Sequence, residues 1–212
     1  MDTTEISCSS HKCTKQREVI KQQKEQSMNE PKLFAVYLGG RADHCNIELH
    51  DVVFVVGSCI EETYPLLAKK WFGNLNHFHI DSYLHLKNID GYEVELSNSP
   101  SQTTSSKKLY FINLGAYKPH EFTEYHQSAF YVAEDASEAI RRAKSELCQG
   151  LQTVHKDDVV LLDHVSQSFD VDDILEIGNV DEYSISLNPS SSKERTLPIS
   201  EYIRLDTLLL NS

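Results

Sequence analysis

The chain has 212 residues, 40% hydrophobic and 25% charged, with a formal net charge of -12. That length holds one large domain or two small ones. The acid excess works against a nucleic-acid backbone or an anionic membrane as partner. It is also localised: residues 32–96 carry nine acidic against five basic side chains and residues 107–187 fifteen against seven, while both ends are balanced. No apolar run approaches the roughly 18 residues of a membrane span. No apolar segment of the signal-peptide kind occurs near the N-terminus, so a cytoplasmic protein is expected. The cysteines Cys8, Cys13, Cys45, Cys59 and Cys148 form no CxxC pair, which fits a reducing compartment.

Residues 1–31 read as a polar, disordered extension with almost nothing to bury. Cys8, His11 and Cys13 could share a metal, but no fourth ligand lies nearby. Met28 stands just before the first expected strand, so either translation starts there or residues 1–27 are a genuine tail. Residues 33–38 are predicted as a strand stopped by Gly39-Gly40. After a loop, residues 52–56 form a second, largely apolar strand. A helix follows, opened by a Ser58/Glu61 capping box, with Ile60, Tyr64, Leu67, Ala68 and Trp71 on one face and Pro65 expected to kink it. Residues 82–89 and 92–96 alternate as a pair of strands.

The same plan recurs. Shifted by 76 residues, thirteen of the fifty positions from 32 to 81 are identical without a gap, against roughly 6% expected by chance. The offset grows to 91 where Asn88–Tyr92 meets Asn179–Tyr183, so the second copy has gained 15 residues around 163–178, where a short helix at 171–177 is expected. The acidic stretch 163–182 reads as a solvated loop, or as a dock for a basic partner. A Ser/Thr-rich linker covers 97–106. Asp135 and Glu138 fit a capping box for the second helix. The expected architecture is α+β: two tandem ββαββ repeats, 32–96 and 107–187, packed pseudo-symmetrically. Residues 188–212 should dock on the body. The oligomeric expectation is a monomer with an internal pseudo-dimer, or a homodimer.

The segments KLFAVYLGG, NIELHDVVFVVG and HIDSYLHLKNIDGYEVEL resemble a bacterial family, domain of unknown function 1543, found in one or two copies per chain. The resemblance implies the fold and a bacterial origin and carries no chemistry. Copy two departs from the pattern: Gly40 becomes Ala116, Asp51 becomes Gln127, and the strand after Asp157 reads as interrupted. A site built from these elements is therefore expected to be complete in copy one only.

One constellation carries chemistry. Glu48 and His50 precede the second strand, and His79 and Asp81 the third. If those strands run parallel in one sheet, the four gather at one edge. Glu124, His126, His155 and Asp157 repeat the pattern. Two imidazoles and two carboxylates suit a divalent metal such as Zn²⁺, Mn²⁺ or Fe²⁺, or general acid–base work. Polar residues at strand starts also tie loops to backbone amides, and that structural account is favoured here. His44 and His120 recur in a loop and read as exposed. No nucleophile is convincing, since Ser58 reads as a cap. Gly39-Gly40 lacks the lysine and spacing of a phosphate loop, and no organic cofactor is expected. The favoured function is a non-catalytic binding or protein-interaction module with an unknown protein partner. The alternative is a metal-dependent or acid–base enzyme using the Glu/His/His/Asp cluster.

Overall fold

The computed structural model describes residues 30–98, 106–162, 183–192 and 196–209. Each repeat opens with a long central strand: β1 (Lys32–Arg41) in the first copy, β6 (Lys108–Tyr117) in the second. β2 (Leu49–Gly57) and β3 (Asn74–His85) pair antiparallel with β1 on its two sides. β7 (Tyr125–Ala133) and β8 (Gln152–Leu162) flank β6 in the same way. The second and third strands of each copy are thus parallel to each other, with the central strand between them. Helix α1 (Tyr64–Lys70) or α2 (Ala136–Glu146) provides the return crossing.

Alternation along the central strands sorts the core into three clusters. Phe34, Val36 and Leu38 face outward onto Leu67 of α1 and onto Leu205. Tyr110, Ile112 and Leu114 face outward onto Ala139 and Ala143 of α2. Leu33 and Ala35 face inward and join Leu109 and Phe111 of the other copy. The layers are therefore helix, sheet, sheet, helix, with the inner core shared. Phe54 and Phe130, equivalent under the 76-residue shift, meet edge to face at 6.2 Å. Ten buried side chains of the described residues belong to this inner core. At about 1.5–3 kcal/mol each they contribute on the order of 20 kcal/mol, more than the net stability of a typical domain. The two repeats therefore share one inner core.

A third sheet joins the copies directly. β4 (Asn88–Ile89) and β5 (Tyr92–Ser97) form a hairpin, and β5 pairs with β9 (Ser184–Pro189) of the second copy. Glu95 lies opposite Ser186, its own counterpart at the 91-residue offset, so the pseudo-twofold axis passes through that pair. The hairpin turns at Asp90 and Gly91, both at positive φ, 58° and 82°, as a mirror-image turn requires. Asp90 then reaches the second copy, taking bonds from the Val132 amide at 3.0 Å and Arg142 Nη2 at 2.8 Å. The C-terminal segment returns to the first copy. β10 (Ile199–Arg204) pairs with the free edge of β3, and α3 (Leu205–Leu209) buries Leu205 in the outer core.

Several expectations change. β1 does not stop at Gly39-Gly40 but runs through both to Arg41, because the pairing with β2 and β3 continues past them; neither position has room for a side chain. β3 starts at Asn74 rather than 82, and the expected strand 82–89 breaks after His85. β8 is continuous through Asp157. The Ser58/Glu61 box does not form; Glu62 accepts from the Ser58 amide at 2.9 Å, and a 3-10 turn at Glu61–Thr63 precedes α1. Pro65 lies in the first turn of α1, where its missing N–H costs nothing, so it starts the helix instead of kinking it. The second box forms in part: Asp135 caps the Glu138 amide at 2.8 Å, while Glu138 accepts from Glu134. The extension, the linker core, the 15-residue gain and the helix at 171–177 lie outside the described residues.

Candidate functional site

Three neighbouring strands bring the cluster together. Gly39 of β1 lies opposite His50 of β2 on one side and His79 of β3 on the other. Gly115 stands in the same way between His126 and His155. The row His–Gly–His crosses each sheet. Next to it the β1–β3 register slips: Tyr37 pairs with Ser82 and Leu38 with Ile80, leaving Asp81 in a bulge. The slip recurs between Asn113–Asp158 and Leu114–Lys156, leaving Asp157. A bulge re-aims the side chain it carries, here towards the histidines. Glycine is required in the middle of the row. A Cβ at Gly39 would lie 2.8 Å from Asp81 Oδ2 and nearer still to His79 Nε2; at Gly115 it would meet Glu124 Oε1 at 2.7 Å and His155 Nε2 at 2.8 Å.

All four residues converge in each copy. In the first, His79 Nε2 lies 3.1 Å from Glu48 Oε1 and 3.4 Å from Asp81 Oδ1, and His50 Nε2 lies 3.4 Å from Asp81 Oδ2. In the second, His155 Nε2 is 3.0 Å from both Glu124 Oε1 and Asp157 Oδ1. His126 Nδ1 is 3.1 Å from Asp157 Oδ2. Ligand atoms of Glu124, His126 and Asp157 all lie within 4.8 Å of one another, and no such trio occurs in the first cluster. The second copy therefore carries the more complete grouping, contrary to the expectation of a site complete in copy one only. The strands extend further than the sequence suggested, so His50, His79 and Asp81 lie inside them and only Glu48 stands ahead.

The histidine tautomers follow from the backbone. His79 Nδ1 is 2.7 Å from the His77 carbonyl, and His155 Nδ1 is 3.0 Å from the Thr153 carbonyl. A carbonyl only accepts, so Nδ1 carries the proton in both. Nε2 then turns its lone pair on carboxylate oxygens unless a proton or a cation lies between them. His77 and Thr153 aim these carbonyls from positive φ, 66° and 50°. Asp81 Oδ2, Glu124 Oε1 and Asp157 Oδ2 are shielded from solvent, and each has an imidazole nitrogen at 3.0–3.4 Å.

Aromatic rings wall the clusters. Tyr37 stacks on His50 at 5.1 Å, Tyr202 lies against His79 at 4.5 Å, and Tyr117 stacks on His155 at 5.8 Å. Burial, with Asp81's charge behind it, pushes the Tyr37 hydroxyl pKa up. For Tyr117 the rise comes first from its hydrogen bond to Glu124. The Thr153 carbonyl outweighs desolvation and, with Asp157 and Glu124, raises the His155 pKa.

Sequence reasoning named the four polar residues of each cluster and missed the glycine beneath them, although Gly39 and Gly115 coincide in the repeat alignment. Tyr202 could not be found that way, because it arrives from outside both repeats. His44 and His120 do not join the clusters' ion pairs; both are exposed turn residues at φ 67° and 68°, a backbone state that accounts for their position. Cys8, His11 and Cys13 lie outside the described residues, as does the whole acidic stretch 163–182.

The fold and clusters define a duplicated α+β protein with one Glu/His/His/Asp cluster per copy. The chain matches the family described as Domain of Unknown Function (DUF1543) over residues 45–96 and 121–171, one match per copy, and it belongs to that family. Its structure is similar to the crystal structure of a protein Il1583 from Idiomarina loihiensis, with 32% identity and a TM-score of 0.60, covering 83% of this chain and 98% of that one. No curated protein matches. Among the described residues, no helix is long and apolar enough to cross a membrane.

Proposed function

We propose that this chain is a non-catalytic binding module whose ligand is a divalent transition-metal ion, held at the Glu/His/His/Asp clusters. The observation that carries this reading is the histidine Nε2 that faces two carboxylate oxygens in both copies while Nδ1 meets a backbone carbonyl. A tetrahedral ion with bonds of about 2.0–2.1 Å separates its ligand atoms by ~3.3 Å. The His–carboxylate separations of 3.0–3.5 Å straddle that value. Two imidazoles and two carboxylates suit Zn²⁺, Mn²⁺ or Fe²⁺, and their two negative charges balance the ion. Binding rather than catalysis is supported by the sequence, which offers no convincing nucleophile and no phosphate-loop or cofactor motif.

The test is metal content by elemental analysis after prolonged dialysis, on the native chain and on His50→Ala and His126→Ala. Both histidines are partly solvent-exposed, so the variants should fold. Two retained equivalents, with one lost in each variant and unchanged circular dichroism, support the reading. A metal-free native chain that also fails to take up added Zn²⁺, Mn²⁺ or Fe²⁺ overturns it and leaves a proton-bridged clasp between strands.

A further inference from the structure

The two clusters share their donors, and the second holds them closer together. His155 Nε2 lies 3.0 Å from both Glu124 Oε1 and Asp157 Oδ1, whereas His79 Nε2 is 3.1 Å from Glu48 Oε1 and 3.4 Å from Asp81 Oδ1. The second pair of carboxylates is also the drier one. The Glu124 and Asp157 side chains are 28% and 22% exposed, against 46% and 31% for Glu48 and Asp81. Shielded carboxylates lose hydration and attract a cation more strongly.

One side chain links these donors. The Tyr117 ring stacks on His155 at 5.8 Å, 22° from parallel, and its hydroxyl hydrogen-bonds Glu124. It therefore ties a donor of β8 to the donor that stands just ahead of β7. The residue 76 positions earlier is Arg41, a fixed positive charge in place of a neutral phenol. The first copy's Tyr37 stacks on His50 instead.

We infer that the second cluster is the higher-affinity metal site and that Tyr117 is its positioning residue, fixing Glu124 and His155 before the ion arrives. This rests on the metal-binding reading above. A site whose donors already stand close to where an ion needs them gives up less conformational freedom on binding. Glu124, His126 and Asp157 meet that condition, with ligand atoms within 4.8 Å of one another. Tyr117 acts through two donors and not as a ligand, as the outer partners of metal ligands do. Its side is 47% exposed, so its replacement opens no core.

The experiment is isothermal titration of the full, metal-free chain with Zn²⁺. The native chain should show two events of one equivalent each, the tighter at least about tenfold stronger. His126→Ala should remove the tighter event and His50→Ala the weaker. Tyr117→Phe, which keeps the ring and loses the hydroxyl, should weaken the tighter event by about tenfold, and Tyr117→Ala by about 10- to 100-fold. The weaker event and the melting temperature of the metal-free chain should not move in either variant, which a merely structural role for Tyr117 would not allow. Equal affinities, a tighter event that survives His126→Ala, or one that neither Tyr117 variant weakens would overturn this inference while leaving the metal-binding reading intact. A chain that binds no Zn²⁺ also overturns it, and one that takes up none of Zn²⁺, Mn²⁺ and Fe²⁺ overturns both.

Discussion

Replacing Gly39 with alanine tests the geometry beneath the first cluster. The backbone there is ordinary extended strand, since Gly39 is not among the positive-φ glycines. By conformational entropy alone the substitution should therefore stabilise by about 0.5–1 kcal/mol. Against that, the new methyl would lie 2.8 Å from Asp81 Oδ2 and closer to His79 Nε2. Asp81 can swing outward, but His79 is held by Tyr202 on its face and by the His77 carbonyl at Nδ1. Overpacking of this kind costs about 1–3 kcal/mol, so the expected net loss in urea denaturation is about 1 kcal/mol. Metal affinity at the first cluster should fall further, on the order of 10- to 100-fold, because its ligands are pushed out of position. Isothermal titration with Zn²⁺ reads that loss, and the second cluster serves as the internal control. An alanine variant as stable as the native chain, with both affinities unchanged, would refute the reasoning.

Two further predictions address the fold around the sites. A Cβ at Gly40 would meet Trp71 Cζ2 at 2.8 Å, whereas the second copy carries Ala116 and Leu147 at these positions, both buried in one cluster. Gly40→Ala and Trp71→Leu should each destabilise by about 1–3 kcal/mol, and the double variant by less than their sum by at least ~0.5 kcal/mol in a double-mutant cycle; strict additivity would count against the contact. Hydrogen bonds from Arg204 first, and then from the His77 and Thr207 amides, hold the Asp206 carboxyl down at about 2. Its folded pKa lies below the unfolded value, so its contribution to stability is complete above the ordinary carboxylate range and is lost as pH falls through about 2. A carboxyl-carbon NMR titration should show that midpoint in the native chain and a shift towards the ordinary value in Arg204→Ala.

Duplication, the ββαββ order and the identity of the eight polar residues could be read from the sequence, because each leaves a local trace: a period of 76, alternating apolar positions and Glu-x-His or His-x-Asp pairs. Strand ends could not. Gly39 and Gly40 look like a stop because propensity reports an isolated backbone, and their place inside β1 is decided by His79 and Trp71, which lie 40 and 31 residues later in the sequence. The Asp81 bulge, the proton on Nδ1 and the exposure of each histidine depend on neighbouring strands and on carbonyls at positive φ. The difference between the two clusters depends on more: a C-terminal strand outside both repeats pairs with β3, where the described residues give β8 no counterpart. The amino-acid sequence by itself determined that this chain carries the same donor set twice. Only tertiary structure decided that His79 is covered and His155 exposed, because solvent access belongs to the packed surface and has no local signature in the chain.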